Sequence, residues 1–152
     1  MENLLLNTVS EIQISYQPKV PAIHRPRITT SNDAYKVFME IFDPMMLNIK
    51  EEVVVIYLNR GNRVLGSYKL SSGGINCTVI DIRILLGIAL KSLASGIMIA
   101  HSHPSGELKP SKSDIALTLK LKEAASLMDI SFMEHMIVTT DSYYSFVDNG
   151  ML

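Results

Sequence analysis

Residues 53 to 58 read Val-Val-Val-Ile-Tyr-Leu, and this run restricts the fold more than any other stretch. It is short, uninterrupted and rich in β-branched side chains, the pattern of a strand buried in a layered structure. Asn59-Arg60-Gly61-Asn62 supplies turn chemistry, and Val64 to Leu70 returns as a second strand, so the two form a hairpin. Ser71-Ser72-Gly73-Gly74 ends it.

The elements around this hairpin alternate in type. Val9, Ile12, Ile14 and Tyr16 are set against Glu11, Gln13 and Ser15, which predicts a half-buried strand over residues 9 to 16. Three prolines in the stretch that follows predict an extended surface connection, with His24 an ordinary loop histidine. Ser31 or Asn32 is placed to cap a helix that buries Ala34, Val37, Phe38 and Ile41, limited by Pro44. Residues 79 to 95 are apolar at nearly every position and end at Gly96, which predicts a largely buried helix. Ile97 to Ala100 reads as a short strand, 111 to 128 as a helix, and 134 to 139 with 143 to 147 as a last pair of strands. Hairpins mixed with crossover helices predict an α/β sandwich with a mixed sheet flanked by helices. Residues 1–29 are expected to be an N-terminal strand and connection packed on a domain formed by 30–152.

The chain has 152 residues, 47% hydrophobic and 19% charged, as a single compact core requires. Fourteen Lys and Arg against 15 Asp and Glu give no electrostatic reason to expect a nucleic-acid partner. No apolar run reaches the roughly 18 residues that span a bilayer, and the start, MENLLLNTVSEIQ, lacks the basic region of a signal peptide. The single cysteine, Cys77, has no activating neighbour and reads as an inert thiol. A cytoplasmic protein is the expectation.

The chemistry is concentrated in His-Ser-His-Pro-Ser-Gly-Glu-Leu-Lys-Pro-Ser-Lys-Ser-Asp, residues 101 to 114. Histidines at i and i+2 at a strand end project from one face, so His101 and His103 can reach the same ion. Pro104 and Gly106 turn the chain, and Asp114 in the first turn of the next helix brings a carboxylate beside them. Two nitrogens and one oxygen leave a fourth tetrahedral position for water, the composition of a catalytic zinc site with one ion per chain. Zinc lowers the pKa of such a water to about 7. A proton acceptor is then needed. Glu52, just before the buried strand, is the candidate, with Glu51 expected on the opposite side. Ser111 offers a hydroxyl donor to a developing oxyanion.

His101-x-His103-Pro104, six residues, Ser111, two residues and Asp114 make up the JAMM signature of JAB/MPN metallohydrolases. The chain resembles their RadC-like branch in HSHPSGELKPSKSD, in EEVVVIYLNRGNRV and in MDISFMEHMIVTTDSYYSFVDNG, from about residue 30 to the C-terminus. The resemblance implies a JAB/MPN sandwich of cytidine-deaminase-like form and a metal-dependent hydrolase, with Glu52 at the position of the family's catalytic glutamate. RadC-like proteins often carry a helix-hairpin-helix region, of which this sequence shows no sign.

Each residue also has an ordinary reading. Ser111-x-x-Asp114 is a capping box in its own right, and Ser111 can cap while facing the site. His135 reads as a hydrogen-bonded structural histidine, Glu107 and Asp129 as surface charges, and the nine methionines as core filler. The expected activity is cleavage of an amide bond in a peptide or protein, as a peptidase or isopeptidase. The alternatives are a DNA-associated protein such as a metal-dependent nuclease or repair accessory, and a non-catalytic MPN binding module.

Overall fold

The computed structural model describes residues 8–73 and 79–152; Cys77 lies outside them. The described elements are a 3-10 turn at Ala22–His24, helix α1 (Ser31–Ile41), strands β1 (Glu52–Leu58) and β2 (Val64–Ser72), helix α2 (Ile82–Lys91), strand β3 (Gly96–Ser102), helix α3 (Lys112–Leu127), and strands β4 (Ser131–Val138) and β5 (Tyr143–Ser145). The strands form one sheet in the order β2-β1-β3-β4-β5. The β3 to β4 pairing is parallel and the other three are antiparallel. Parallel neighbours need a crossover, and α3 supplies it. This is the α/β fold with a mixed, helix-flanked sheet that the sequence predicts.

All seven residues of β1 are buried, because helices cover both faces of the sheet. Val54, Ile56 and Leu58 pack with Met98, Ala100, Met136 and Val138 under Ala34 and Phe38 of α1. Val55 and Tyr57 pack with Ile97 and Ile99 under Leu85 and Ala89 of α2 and Leu121 and Ala125 of α3. The alternation of β1 therefore sorts its even-numbered side chains to the α1 face and its odd-numbered ones to the α2/α3 face.

Four expectations are corrected in detail. Residues 9 to 16 form no strand; Val9, Ile12 and Ile14 are exposed, Ile12 at 90%. Their alternation has no partner strand among the described residues, and an unpaired alternating segment buries nothing. The segment touches the domain through the Tyr16 hydroxyl, which donates to the Leu65 carbonyl. The chain docks closely only from residue 25 onward, where Ile28 N–H donates to Asn62 O and Val64 N–H to Pro26 O, both at 2.9 Å.

Helix α1 is capped by Thr30, not by Ser31 or Asn32. The Thr30 hydroxyl accepts from Asp33 N–H while the Asp33 carboxylate accepts from the Thr30 and Thr29 amides. These bonds hold the Asp33 carboxyl down at about 2, the Thr29 amide contributing most. Helix α2 is shorter than predicted: Asp81 caps it, it stops at Lys91, and the left-handed residue after it is Leu93, with φ 55°. Gly96 instead opens β3, where an added Cβ would lie 2.6 Å from Met133 Sδ. The strand predicted from 134 starts at Ser131, and its partner ends at Ser145 rather than 147.

No helix among the described residues is long and apolar enough to cross a membrane. Phe38 is fully buried against the α1 face of the sheet. Phe38→Ala is expected to cost about 3–5 kcal/mol, measured as a lower urea midpoint at unchanged m-value.

Candidate metal centre

Three elements meet at the carboxyl end of β3. His101 is its penultimate residue and 3% exposed. His103 continues the line of the strand, its N–H donating to Val138 O at 3.0 Å, before Gly106 turns the chain at φ 79°. Asp114 sits in the first turn of α3, which Ser111 caps as predicted. The sequence-predicted triad is brought together: one donor atom from each of His101, His103 and Asp114 lies within 4.8 Å of the others.

The separations fit a tetrahedral ion. Bonds of about 2.0–2.1 Å place neighbouring donors roughly 3.4 Å apart. Here His101 Nε2 is 2.9 Å from His103 Nε2 and 3.3 Å from Asp114 Oδ1, and His103 Nε2 is 3.9 Å from Asp114 Oδ2. The His103 tautomer follows from its other nitrogen. Nδ1 lies 2.6 Å from the Glu107 carbonyl, which only accepts, so Nδ1 carries a proton, and in the neutral ring this leaves the lone pair on Nε2. Glu107 thus serves through its backbone; its side chain receives the Lys109 amide at 3.3 Å.

Asp114 is oriented by the cap. The Ser111 amide donates to Asp114 Oδ2 at 2.7 Å, and the Ser111 hydroxyl accepts from Asp114 N–H at 3.1 Å. Burial pushes the carboxyl up, but the neighbouring His101 imidazole and the two Ser111 bonds outweigh it and hold Asp114 well below the usual carboxylate range. The carboxylate is therefore ionised and ready to ligate.

Glu52 is elsewhere. Val53 is the Cα partner of His101 in the β1–β3 ladder, so those two side chains share the α2/α3 face. Glu52, one residue earlier, faces α1 with Val54. It is 2% exposed, and its Oε1 lies 3.2 Å from Lys69 Nζ and 3.6 Å from Lys50 Nζ. Lys69 reaches it because the β1–β2 register steps from Ser71 to Lys69, leaving Leu70 over as a bulge. The same parity puts Glu51 on the histidine face. The extended pairing continues through it, since Gly73 N–H donates to Glu51 O at 2.8 Å. The choice between adjacent glutamates depends on strand register, which the sequence does not display.

His135 is fully buried, stacked on Phe146 at 4.3 Å and 5°, and its Nε2 lies 2.8 Å from His101 Nδ1. Burial, and then the nearby His101, push its pKa far down, so it is neutral. Its hydrogen bonding matches the structural reading; its attachment to a triad histidine does not follow from sequence. Thr118, on its other side at 2.6 Å, was not anticipated. Its place one turn after Asp114 on α3 was the available signal.

Comparison with known proteins places this chain in a family. The RadC-like JAB domain family matches residues 28–151. A UPF0758 protein of Flavobacterium johnsoniae is 39% identical over 125 residues, covering 82% of this chain and 53% of that protein. One from Porphyromonas gingivalis is 36% identical over 139 residues, covering 88% and 60%. The UPF0758 protein YeeS of Escherichia coli is 39% identical over 103 residues, 68% of this chain and 70% of YeeS. The chain spans little more than half the length of the first two.

Ser111→Ala removes the hydroxyl cap but keeps the backbone bond to Asp114 Oδ2. It is expected to cost about 1 kcal/mol of stability and to leave ion uptake at the triad intact, read by denaturant titration and by metal content of the purified variant.

Proposed function

From the chain's membership of the RadC-like JAB domain family, we propose that it is a zinc-dependent hydrolase of JAMM type that cleaves an amide bond, as a peptidase or isopeptidase. The observation that carries this reading is the convergence of two imidazole Nε2 atoms and an ionised carboxylate at 2.9–3.9 Å. Three such electron-rich atoms at those distances call for a cation between them, and three protein donors instead of four are the mark of a catalytic site. A bound zinc ion would supply a water acidic enough to be a nucleophile at neutral pH and a Lewis acid for the substrate oxygen.

The chain's own residues do the remainder. His101, His103 and Asp114 hold the ion. Glu51, on the same face and one residue before β1, takes the proton from the attacking water and passes it to the leaving nitrogen. Glu52 is unsuited to that work, since two lysines hold its carboxylate on the far face of the sheet. Ser111 accepts in the helix cap, so its hydroxyl proton remains for a substrate oxyanion, shared with Ser113 Oγ at 2.8 Å. An amide substrate is favoured over DNA because phosphodiester cleavage more often uses two metals, and a single three-donor group is found among the described residues.

Zinc is expected to co-purify at about one ion per chain, and His103→Ala to abolish tight binding. Full occupancy in His103→Ala would sink the assignment. Against a panel of peptides, isopeptides and DNA forms, Glu51→Gln should keep its ion and lose hydrolysis, while Glu52→Gln should keep both. The reverse pattern returns the base to Glu52. Nuclease activity lost with the ion, beside untouched amides, overturns the substrate class.

A further inference from the structure

The hydrogen bonds behind the triad form a closed, directional chain. Thr118 Oγ1 lies 2.7 Å from the Asp114 carbonyl oxygen and 2.6 Å from His135 Nδ1. A hydroxyl has one proton, and a carbonyl oxygen can only accept, so that proton goes to Asp114. Thr118 Oγ1 must then accept, which places a proton on His135 Nδ1. With Nδ1 the donor, the neutral His135 ring presents its lone pair at Nε2. Facing it at 2.8 Å is His101 Nδ1, which must donate. In the neutral ring the proton of His101 is thereby fixed on Nδ1, which leaves the Nε2 lone pair facing His103 and Asp114.

We propose that Thr118 and His135 are positioning residues that set the tautomer and ring orientation of His101, so that one side chain of α3 and one of β4 tie the ligand on β3 to the helix that carries Asp114. The inference rests on the reading of the triad as an ion site. The chain of donors begins and ends on ligand residues: it starts at the His101 ring and finishes at the Asp114 backbone carbonyl. The relative placement of two ligands from different elements is thus held by side chains that touch no ion. His103 needs no such partner, because the Glu107 carbonyl performs the same task locally. Phe146, stacked on His135 at 4.3 Å and 5°, holds the orientation of that ring. Outer hydrogen bonds of this kind orient metal-binding histidines and raise their basicity.

The test uses four variants of the purified chain and two readouts. The first is Co²⁺ and Zn²⁺ affinity by competition with a chromophoric chelator. Thr118→Val preserves shape and removes the acceptor, and His135→Phe preserves the ring and its stacking and removes both nitrogens. Each should weaken binding by about 10–100-fold, the range for loss of an outer hydrogen bond to a metal ligand. Thr118→Ser restores the hydroxyl and His135→Gln restores an acceptor toward His101; both should bind more tightly than their apolar counterparts. The second readout is long-range ¹H–¹⁵N NMR of the imidazoles in the metal-free protein. His101 should be the Nδ1–H tautomer in the parent and a mixture in Thr118→Val.

Parental affinity in both Thr118→Val and His135→Phe, or an Nε2–H tautomer of His101 in the parent, overturns the proposal. If His135→Phe does not fold, Thr118→Val against Thr118→Ser decides. If the parent takes up neither metal, the ion-site reading fails instead, and the tautomer spectra alone judge the hydrogen-bond chain.

Discussion

The antiparallel pairing of β1 with β3 is the constraint from which the rest of the molecule follows. It joins two strands buried on both faces, with Val53 opposite His101 and Leu58 opposite Gly96. Because side chains alternate, a slip of one residue would exchange the two faces of both strands. The apolar content of both faces tolerates no such exchange at the polar end. His101 must meet α3, and Ser102 must meet the start of β1, where its hydroxyl accepts from Glu52 N–H at 3.0 Å and lies 3.3 Å from Lys50 O. One register therefore places the histidines on the α3 face, Glu51 with them, and Glu52 with its lysines on the other.

The second requirement is that α3 begin where it does. Ser111 and Asp114 form a reciprocal cap, and Asp114 uses one carboxylate oxygen for the cap and turns the other toward His101. Free amides and the positive end of the helix dipole favour a carboxylate at this place before any ion arrives. Helix start and ligand position are the same event. The capping and ligating readings of Ser111-x-x-Asp114 are accordingly one structure seen twice.

This explains which parts were legible in the sequence. The triad could be read because its spacing is local: i, i+2 on a strand end, then a turn, then a helix start. The β1–β2 hairpin, α3 and the mixed sheet could be read because turn residues and apolar periodicity are local too. The alternation over residues 9 to 16 misled because alternation reports fitness for a sheet edge, not the presence of a partner. The cap of α1 is ambiguous in sequence because Thr30, Ser31 and Asn32 are all good caps, and Asp33 three residues after Thr30 decides among them. Gly96 resembles a helix terminus in sequence, but Leu93 takes the left-handed position there. Glu51 against Glu52, and the partners of His135, depend on cross-strand register, which no single segment encodes.

Strand β4 shows how alternation divides the two tasks of the sheet. Glu134 and His135 are adjacent, buried and polar, and they face opposite ways. Glu134 points to the α1 side, where Ser145 donates to it at 2.6 Å and Ser31 at 3.0 Å. Burial raises its pKa against the lowering effect of those hydroxyls, so its role is to satisfy the start of α1 and the β5 edge within the fold. His135 points to the α3 side, and its two nitrogens meet Thr118 and His101. Both residues would be expensive to bury alone, and each is fully partnered. The α1 face uses its buried polar group to hold a helix in place. The α3 face uses the same kind of group to aim an imidazole, so a structural histidine and a site-building one are here the same residue.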